Sequence, residues 1–195
     1  ANVHTVIDHA QVNHDTNFNV TISGTSAAAA DLKAIDAVTS GIITATGVET
    51  ITGTLSDVGD VVDVDTDTSN AGQQIDIDTN FTVTLSDTGN MSASALNTLN
   101  GKVPGTLTVT NAVTLTGTAS AIATAAGADN TGSLALASNF GATVDAAAVN
   151  ATDLTTIYGQ TSATINATAA TAINGSAANV HTVIDHAQVN HDTNF

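Results

Sequence analysis

The chain opens and closes with the same eighteen residues, and this duplication constrains its fold more than any other feature. The segment ANVHTVIDHAQVNHDTNF fills residues 1–18 and returns at residues 178–195, an offset of 177 residues. A lone enzyme domain has no reason to start again in this way, whereas a segment of a periodic array does. We therefore expect residues 178–195 to adopt the conformation of residues 1–18, displaced along one axis.

The 177-residue period divides into six smaller units. A short strand-like motif, VTISGT in its first copy, recurs with a central apolar residue every 29 to 34 positions. The central residues, which we expect to form apolar columns, are Ile22, Ile51, Leu85, Leu115, Val144 and Ile173. Asn-Phe pairs place Phe18, Phe81 and Phe140 four residues before the motif centre in every second unit. Two types of unit therefore alternate.

A helical turn is predicted after each motif. An apolar pair at positions i and i+3, Leu32 and Ile35 in the first unit, lies on one face of such a turn. The other pairs are Val58/Val61, Leu96/Leu99, Ile122/Ala125, Leu154/Ile157 and Val180/Val183. Candidate N-cap residues just upstream are Ser56, Ser94, Ser120 and Thr152. Each unit thus reads strand, turn, strand, helical turn.

This order predicts a mainly β fold, a parallel β-solenoid with short helical turns and about six coils of roughly 30 residues per period. An isolated strand pair is marginal in water, and stacking the coils buries its apolar face. We expect residues 1–195 to be one continuous segment, with repeats at about 29–92, 93–150 and 151–195, the last continuing into 1–28. A β-sandwich array and a leucine-rich horseshoe are the alternatives. The first wants a wider core, and the second lacks its Leu/Asn consensus.

Charge and composition exclude several classes of function. The formal net charge is −16, with two Lys and no Arg, which disfavours nucleic acid because phosphate binding needs clustered cations. The absence of Cys excludes a disulfide scaffold, and no apolar run approaches the roughly 18 residues of a membrane span. No GxSxG elbow or phosphate-binding loop is present. We therefore expect no enzyme and no required cofactor.

Calcium is the first candidate ligand. Asp63, Asp65 and Asp67 alternate in the most acidic stretch, so in an extended chain their carboxylates would point the same way and could bind Ca²⁺. An EF-hand loop starting at Asp63 fails, because Thr68 and Gln74 stand where Gly and Glu are needed. The competing interpretation is a solvated acidic face.

Histidines define a second candidate metal site. His4, His9 and His14 recur as His181, His186 and His191. A spacing of five residues matches neither one helix face nor one strand face across all three histidines. Exposed polar corners are therefore the competing interpretation.

The phrases AADLKAIDA, SALNTLNGK and TLTGTASAIATA resemble the tandem-repeat regions of giant cell-surface proteins of marine cyanobacteria. The resemblance implies a secreted, surface or filamentous structural role and no catalytic residues. We accordingly predict a structural repeat segment of an extracellular fibre or giant surface protein. Its partner would be itself, either end to end or by covalent continuation. The alternative is an adhesin stalk or ligand-binding module that uses divalent cations.

Overall fold

The computed structural model describes residues 13, 15–65 and 74–192. Along this part of the chain, two or three short strands precede each helix. The strands are β1 (Val20–Thr21), β2 (Ser26–Ala28), β3 (Ile43–Ala45), β4 (Thr50–Gly53), β5 (Ile75–Ile77), β6 (Thr82–Leu85), β7 (Asn90–Ser92), β8 (Leu107–Val109), β9 (Thr114–Gly117), β10 (Leu134–Ala135), β11 (Gly141–Val144), β12 (Ala148–Asn150), β13 (Ile165–Ala167), β14 (Ala172–Asn174) and β15 (Val189–His191). The helices are α1 (Ala29–Asp36), α2 (Leu55–Asp63), α3 (Ala93–Asn100), α4 (Ala119–Thr131), α5 (Ala151–Tyr158) and α6 (Ala177–Ile184).

The prediction of a mainly β fold is wrong, because the protein is mixed α/β. The helices run for 8 to 13 residues, whereas the strands have only two to four residues. The apolar pairs do lie on helices, and Leu32, Ile35 and Ile122 are fully buried there. The helices extend past one turn because Ala and Leu, the strongest helix formers, surround the pairs, as in ASAIATAAGADNT of α4.

Helix starts were predicted about two residues too late. Ser56, Ser94, Ser120 and Thr152 are each the second residue of a helix. The observed caps lie just before the first turn, where a hydroxyl oxygen can accept a hydrogen bond from the backbone N–H three residues further along the chain. The side chains that do so belong to Thr54, Ser92, Thr118 and Ser176.

The first of two compact units comprises residues 1–86 and 102–105. Its described strands pair in parallel as β1–β3–β5 and as β2–β4–β6. Helix α1 packs against α2. Each segment of strand, strand and helix therefore meets its successor through two ladders and, where both helices are described, a helix pair.

The second unit comprises residues 87–101 and 106–195. Its described strands form a parallel sheet in the order β7–β9–β11–β13–β15, together with the parallel pairs β8–β10 and β12–β14. Helices α3, α4, α5 and α6 pack in succession. The prediction of parallel strand pairing between successive repeats is confirmed in both units.

Two kinds of repeat alternate, and their difference is a strand that the sequence did not predict. Residues 107–131 and 165–184 carry two strands and a helix, whereas residues 75–100 and 134–158 carry a third strand before the helix. We call these two-stranded and three-stranded repeats. Phe81 and Phe140, 3% and 0% exposed, mark the three-stranded type. The aromatic alternation in the sequence is thus an alternation in strand number.

The middle strand of a three-stranded repeat has neighbours on both sides. In the second unit β11 lies between β9 and β13. Among the described residues of that unit, β10 pairs only with β8, and β12 pairs only with β14. The first two strands of this repeat therefore pair with the preceding repeat, and its last two strands pair with the following one.

The apolar columns differ from the predicted ones by two residues. Ile51 pairs with Val83, and Leu115 pairs with Ala142. Leu85 and Val144 instead lie opposite Gly53 and Gly117. Glycine lacks a side chain, so this register leaves room for the larger residues beside it.

Candidate assembly surface

Strand β14 and helix α6 repeat the local structure of β9 and α4. A glycine with positive φ ends β9 and directly follows β14, with φ of 135° at Gly117 and 156° at Gly175. The next residue caps the helix: Thr118 Oγ1 accepts from Ala121 N, and Ser176 Oγ accepts from Asn179 N, both at 3.2 Å. By this alignment Ile173 is the counterpart of Leu115.

The two strands differ in their neighbours. Strand β9 lies between β7 and β11, whereas β14 pairs, within the described part of the chain, only with β12. Leu115 is fully buried, and so is Ile51, its counterpart in the first unit. Ile173 remains partly exposed. As far as the structure describes the chain, the edge of β14 that corresponds to the β11 side of β9 is therefore open.

Helix α6 continues the same open face. Val58 and Ile122, the counterparts of Val180, are fully buried, whereas Val180 is partly exposed. The only buried residue of α6 is Val183, while α4 buries four. Ile184 is 42% exposed. We call the open edge of β14 together with this side of α6 the assembly surface.

The side chain of His191 on β15 contacts the end of α6. Its Nε2 lies 3.1 Å from the carbonyl oxygen of Ile184, and its Nδ1 lies 2.9 Å from that of Asp192. A neutral imidazole can donate only one hydrogen bond, whereas the imidazolium can donate to both oxygens. The carbonyl of Asp192 first, and then that of Ile184, raise the pKa of His191. Protonation of His191 at acid pH therefore strengthens the contact between β15 and α6.

The candidate histidine site is not assembled in the described residues. His186 stacks on Tyr158 with ring centroids 3.9 Å apart and accepts a bond at Nδ1 from Gln188 N at 3.3 Å. His181 faces Asp185 at 3.3 Å. Within the ranges that the structure covers, no group of three His, Cys, Asp or Glu could hold a metal ion. The earlier copies, His4, His9 and His14, lie outside the described residues.

The candidate calcium ligands have different surroundings. Asp63 is the last residue of α2 and pairs with Lys102. Asp65 is 5% exposed and accepts a bond at Oδ1 from Ile77 N at 3.2 Å. Asp67 lies outside the described residues. Because Asp63 is helical, the alternation expected of an extended chain does not apply to it, and calcium binding stays a prediction.

Both lysines of the chain contact the acidic side of α2. Lys33 on α1 lies 2.7 Å from carboxylate oxygens of Asp57 and Asp60, and Lys102 pairs with Asp63. These aspartates follow one another at three-residue spacing and so share a face of the helix. The hydrogen bond from Lys33 lowers the pKa of Asp57, as does the one from Thr54. The pairs link α2 to its neighbours in the first unit.

A polar cleft in the first unit is lined by Thr16, Asp36, Thr39, Ser40 and Gln74, among others. With its amide nitrogen turned inward, Gln74 donates to Asp36 Oδ1 and to Thr39 O at 3.0 Å each. Burial raises the pKa of Asp36. These groups satisfy one another and do not converge on a ligand.

None of the helices that the structure describes is long and apolar enough to cross a membrane. Searches of protein-family models, of curated proteins and of solved structures found no match to this chain.

Proposed function

We propose that the protein is a structural repeat segment of an extracellular fibre or giant surface protein, with no catalytic activity. In this proposal the repeats stack as the coils of a parallel solenoid with a helical side, and the stack extends end to end. The observation that carries it is the residue-for-residue parallel pairing of neighbouring repeats within each unit, as in Ile43 with Ile75 and Ala142 with Ile165.

Such pairing gives the stack mechanical continuity. Two ladders join neighbouring repeats within each unit, and hydroxyl contacts such as Thr50 Oγ1 to Thr82 Oγ1 at 3.1 Å run in the same direction. Parallel strands expose unpaired backbone groups at the ends of a stack, and pairing with another repeat satisfies them. A fibre built in this way needs no site chemistry, because its function is the continuity of the ladders.

The surface chemistry fits a solvated fibre. With 18 acidic residues against two lysines, copies repel one another laterally, and this repulsion favours solubility over bundling. The resemblance to surface-protein repeats supports the same role and an extracellular or cell-surface location.

Electron microscopy of the 195-residue chain with a measurement of mass per length tests the proposal. If each repeat advances along the fibre by the parallel strand spacing of roughly 4.8 Å, six repeats span on the order of 30 Å. The expected result is thin continuous fibres with that period. Separate globules at every concentration would refute the proposal. Repeating the measurement in chelator separates it from the adhesin alternative, since a stalk that depends on divalent cations would lose its stiffness.

A further inference from the structure

We propose that the assembly surface binds the β1–β2–α1 segment, residues 20–36, of a second copy of this chain in one defined register. The inference rests on the proposed function and adds the partner segment and its alignment. Val20 of the second copy would lie opposite Ile173, and Thr21 opposite Asn174.

The register follows from two pairings already present in the structure. A two-stranded repeat is followed by a Phe-marked repeat twice, and the strand after the Phe pairs in the same way each time. In the first unit Thr52 lies opposite Thr84, and in the second Thr116 lies opposite Thr143. Phe18 precedes β1 as Phe81 precedes β6 and Phe140 precedes β11. The third occurrence of this junction is therefore β14 with β1.

The backbone bonds recur with the register. At the two observed junctions a residue next to the Phe donates to the preceding strand: Thr82 N to Glu49 O and Gly141 N to Val113 O, both at 2.8 Å. A second bond closes each junction four residues later, from Ser86 N to Gly53 O at 2.8 Å and from Asp145 N to Gly117 O at 2.9 Å.

At the proposed junction these two bonds become Asn19 N to Thr171 O and Ser23 N to Gly175 O. These two N–H donors point away from β3, because β1 pairs with β3 along its opposite edge. There Val20 N donates to Ile42 O and Ile22 N to Thr44 O, at 2.9 and 2.8 Å. Successive amides of a strand point to opposite edges, so the Asn19 and Ser23 amides point away from β3.

The apolar contacts are complementary as well. Ile173 and Val180 are partly exposed where Leu115 and Ile122 are fully buried. In the second unit α5, which follows β11 and β12, packs on α4. Helix α1 holds the same place after β1 and β2 and would cover Val180. Residues 1–18 of the second copy share the sequence of residues 178–195, so either copy can supply the segment that leads into β1.

Cysteine cross-linking of the full chain tests the register, because the chain has no cysteine of its own. The test variant is Thr21→Cys with Asn174→Cys, whose Cα atoms would lie at the strand spacing of roughly 4.8 Å, inside the ~4.4–6.8 Å range of disulfides. The matched control, Thr21→Cys with Ala172→Cys, shifts one site by two residues on the same face and puts the pair roughly 8 Å apart, which is too far. Thr116→Cys with Thr143→Cys is the positive control for the same geometry within one chain.

The expected result is a ladder of disulfide-linked multimers from the test pair on mild oxidation, at least tenfold more than from the shifted pair. Unmodified chains that form fibres while the test pair stays unlinked and the positive control links would overturn the register but leave the fibre intact. Unmodified chains that never associate would overturn both proposals. A test-pair disulfide found within single chains would overturn the second copy as the occupant.

Discussion

Replacing two equivalent core residues by alanine should separate folding of the chain from its assembly. Leu115 and Ile173 hold the same position in their repeats, two residues before a glycine with positive φ that leads into a capped helix. Leu115 is fully buried, with Met91 opposite it on β7 and Ala142 opposite it on β11. Ile173 has Val149 opposite it on β12 and is partly exposed.

The magnitudes follow from the number of neighbouring strands. Truncating a fully buried Leu or Ile to Ala costs about 2–5 kcal/mol, so we expect about 3 kcal/mol for Leu115→Ala. In the described structure Ile173 has one neighbouring strand where Leu115 has two. Its truncation should therefore cost about 1.5 kcal/mol in the isolated chain. The remaining ~1.5 kcal/mol should appear only when a second copy covers the residue, which weakens each junction about tenfold.

Urea unfolding at concentrations where the chain is monomeric measures the first quantity, and the critical concentration for fibre growth measures the second. We expect Leu115→Ala to lose twice as much stability as Ile173→Ala and to change the critical concentration less than about threefold. Ile173→Ala should raise the critical concentration about tenfold. Equal destabilisation by the two variants, with unchanged critical concentrations, would refute the argument that the edge of β14 is open.

Three further predictions concern charge and the aromatic core. Burial raises the pKa of Asp36, so its ionised form opposes folding; Asp36→Asn should raise the urea midpoint at pH 7, and the gain should vanish below about pH 3.9, where both states are protonated. The pKa of His191 is raised, so the stabilisation supplied by its protonated ring is present below its unfolded pKa of about 6.5 and is lost as pH rises through the folded value. In His191→Gln, the protection of the β15 amides from hydrogen exchange should lose this pH dependence. Phe140 is fully buried, and Phe140→Ala should cost about 3–5 kcal/mol in urea unfolding.

The sequence predicted the repeat and the parallel pairing because both depend on periodic apolar residues. The spacing of i, i+3 pairs predicted each helix, and the alternation of Phe distinguished the two kinds of repeat. It did not predict β7 and β12, because NMS and AVN are three residues long and contain little β-branched sequence. These strands exist through pairing with β9 and β14, which is a tertiary effect that local propensity does not register.

The candidate sites show a similar limit. The alternation of aspartates suggested one face of a strand, but α2 continues to Asp63 because Val58, Val61 and Val62 bury its apolar side. The assembly surface itself could not be read from the sequence, since Ile173 and Leu115 have the same local pattern. Only their neighbours differ, and neighbours are a property of the folded chain.

The alternation of repeat types accounts for the edge of β14 that is unpaired among the described residues. Inside that unit the repeat at 107–131 meets the next one through two ladders, β8–β10 and β9–β11. The repeat at 134–158 meets its successor through β11–β13 and β12–β14. Within the described ranges, the repeat at 165–184 makes only the first ladder of its next junction, β13–β15. The second ladder would use the open edge of β14, so half of a junction is already in place when a second copy arrives. Residues 20–36 are already folded as β1, β2 and α1, so both sides of the proposed junction are preformed, and preorganisation of this kind lowers the entropic cost of association.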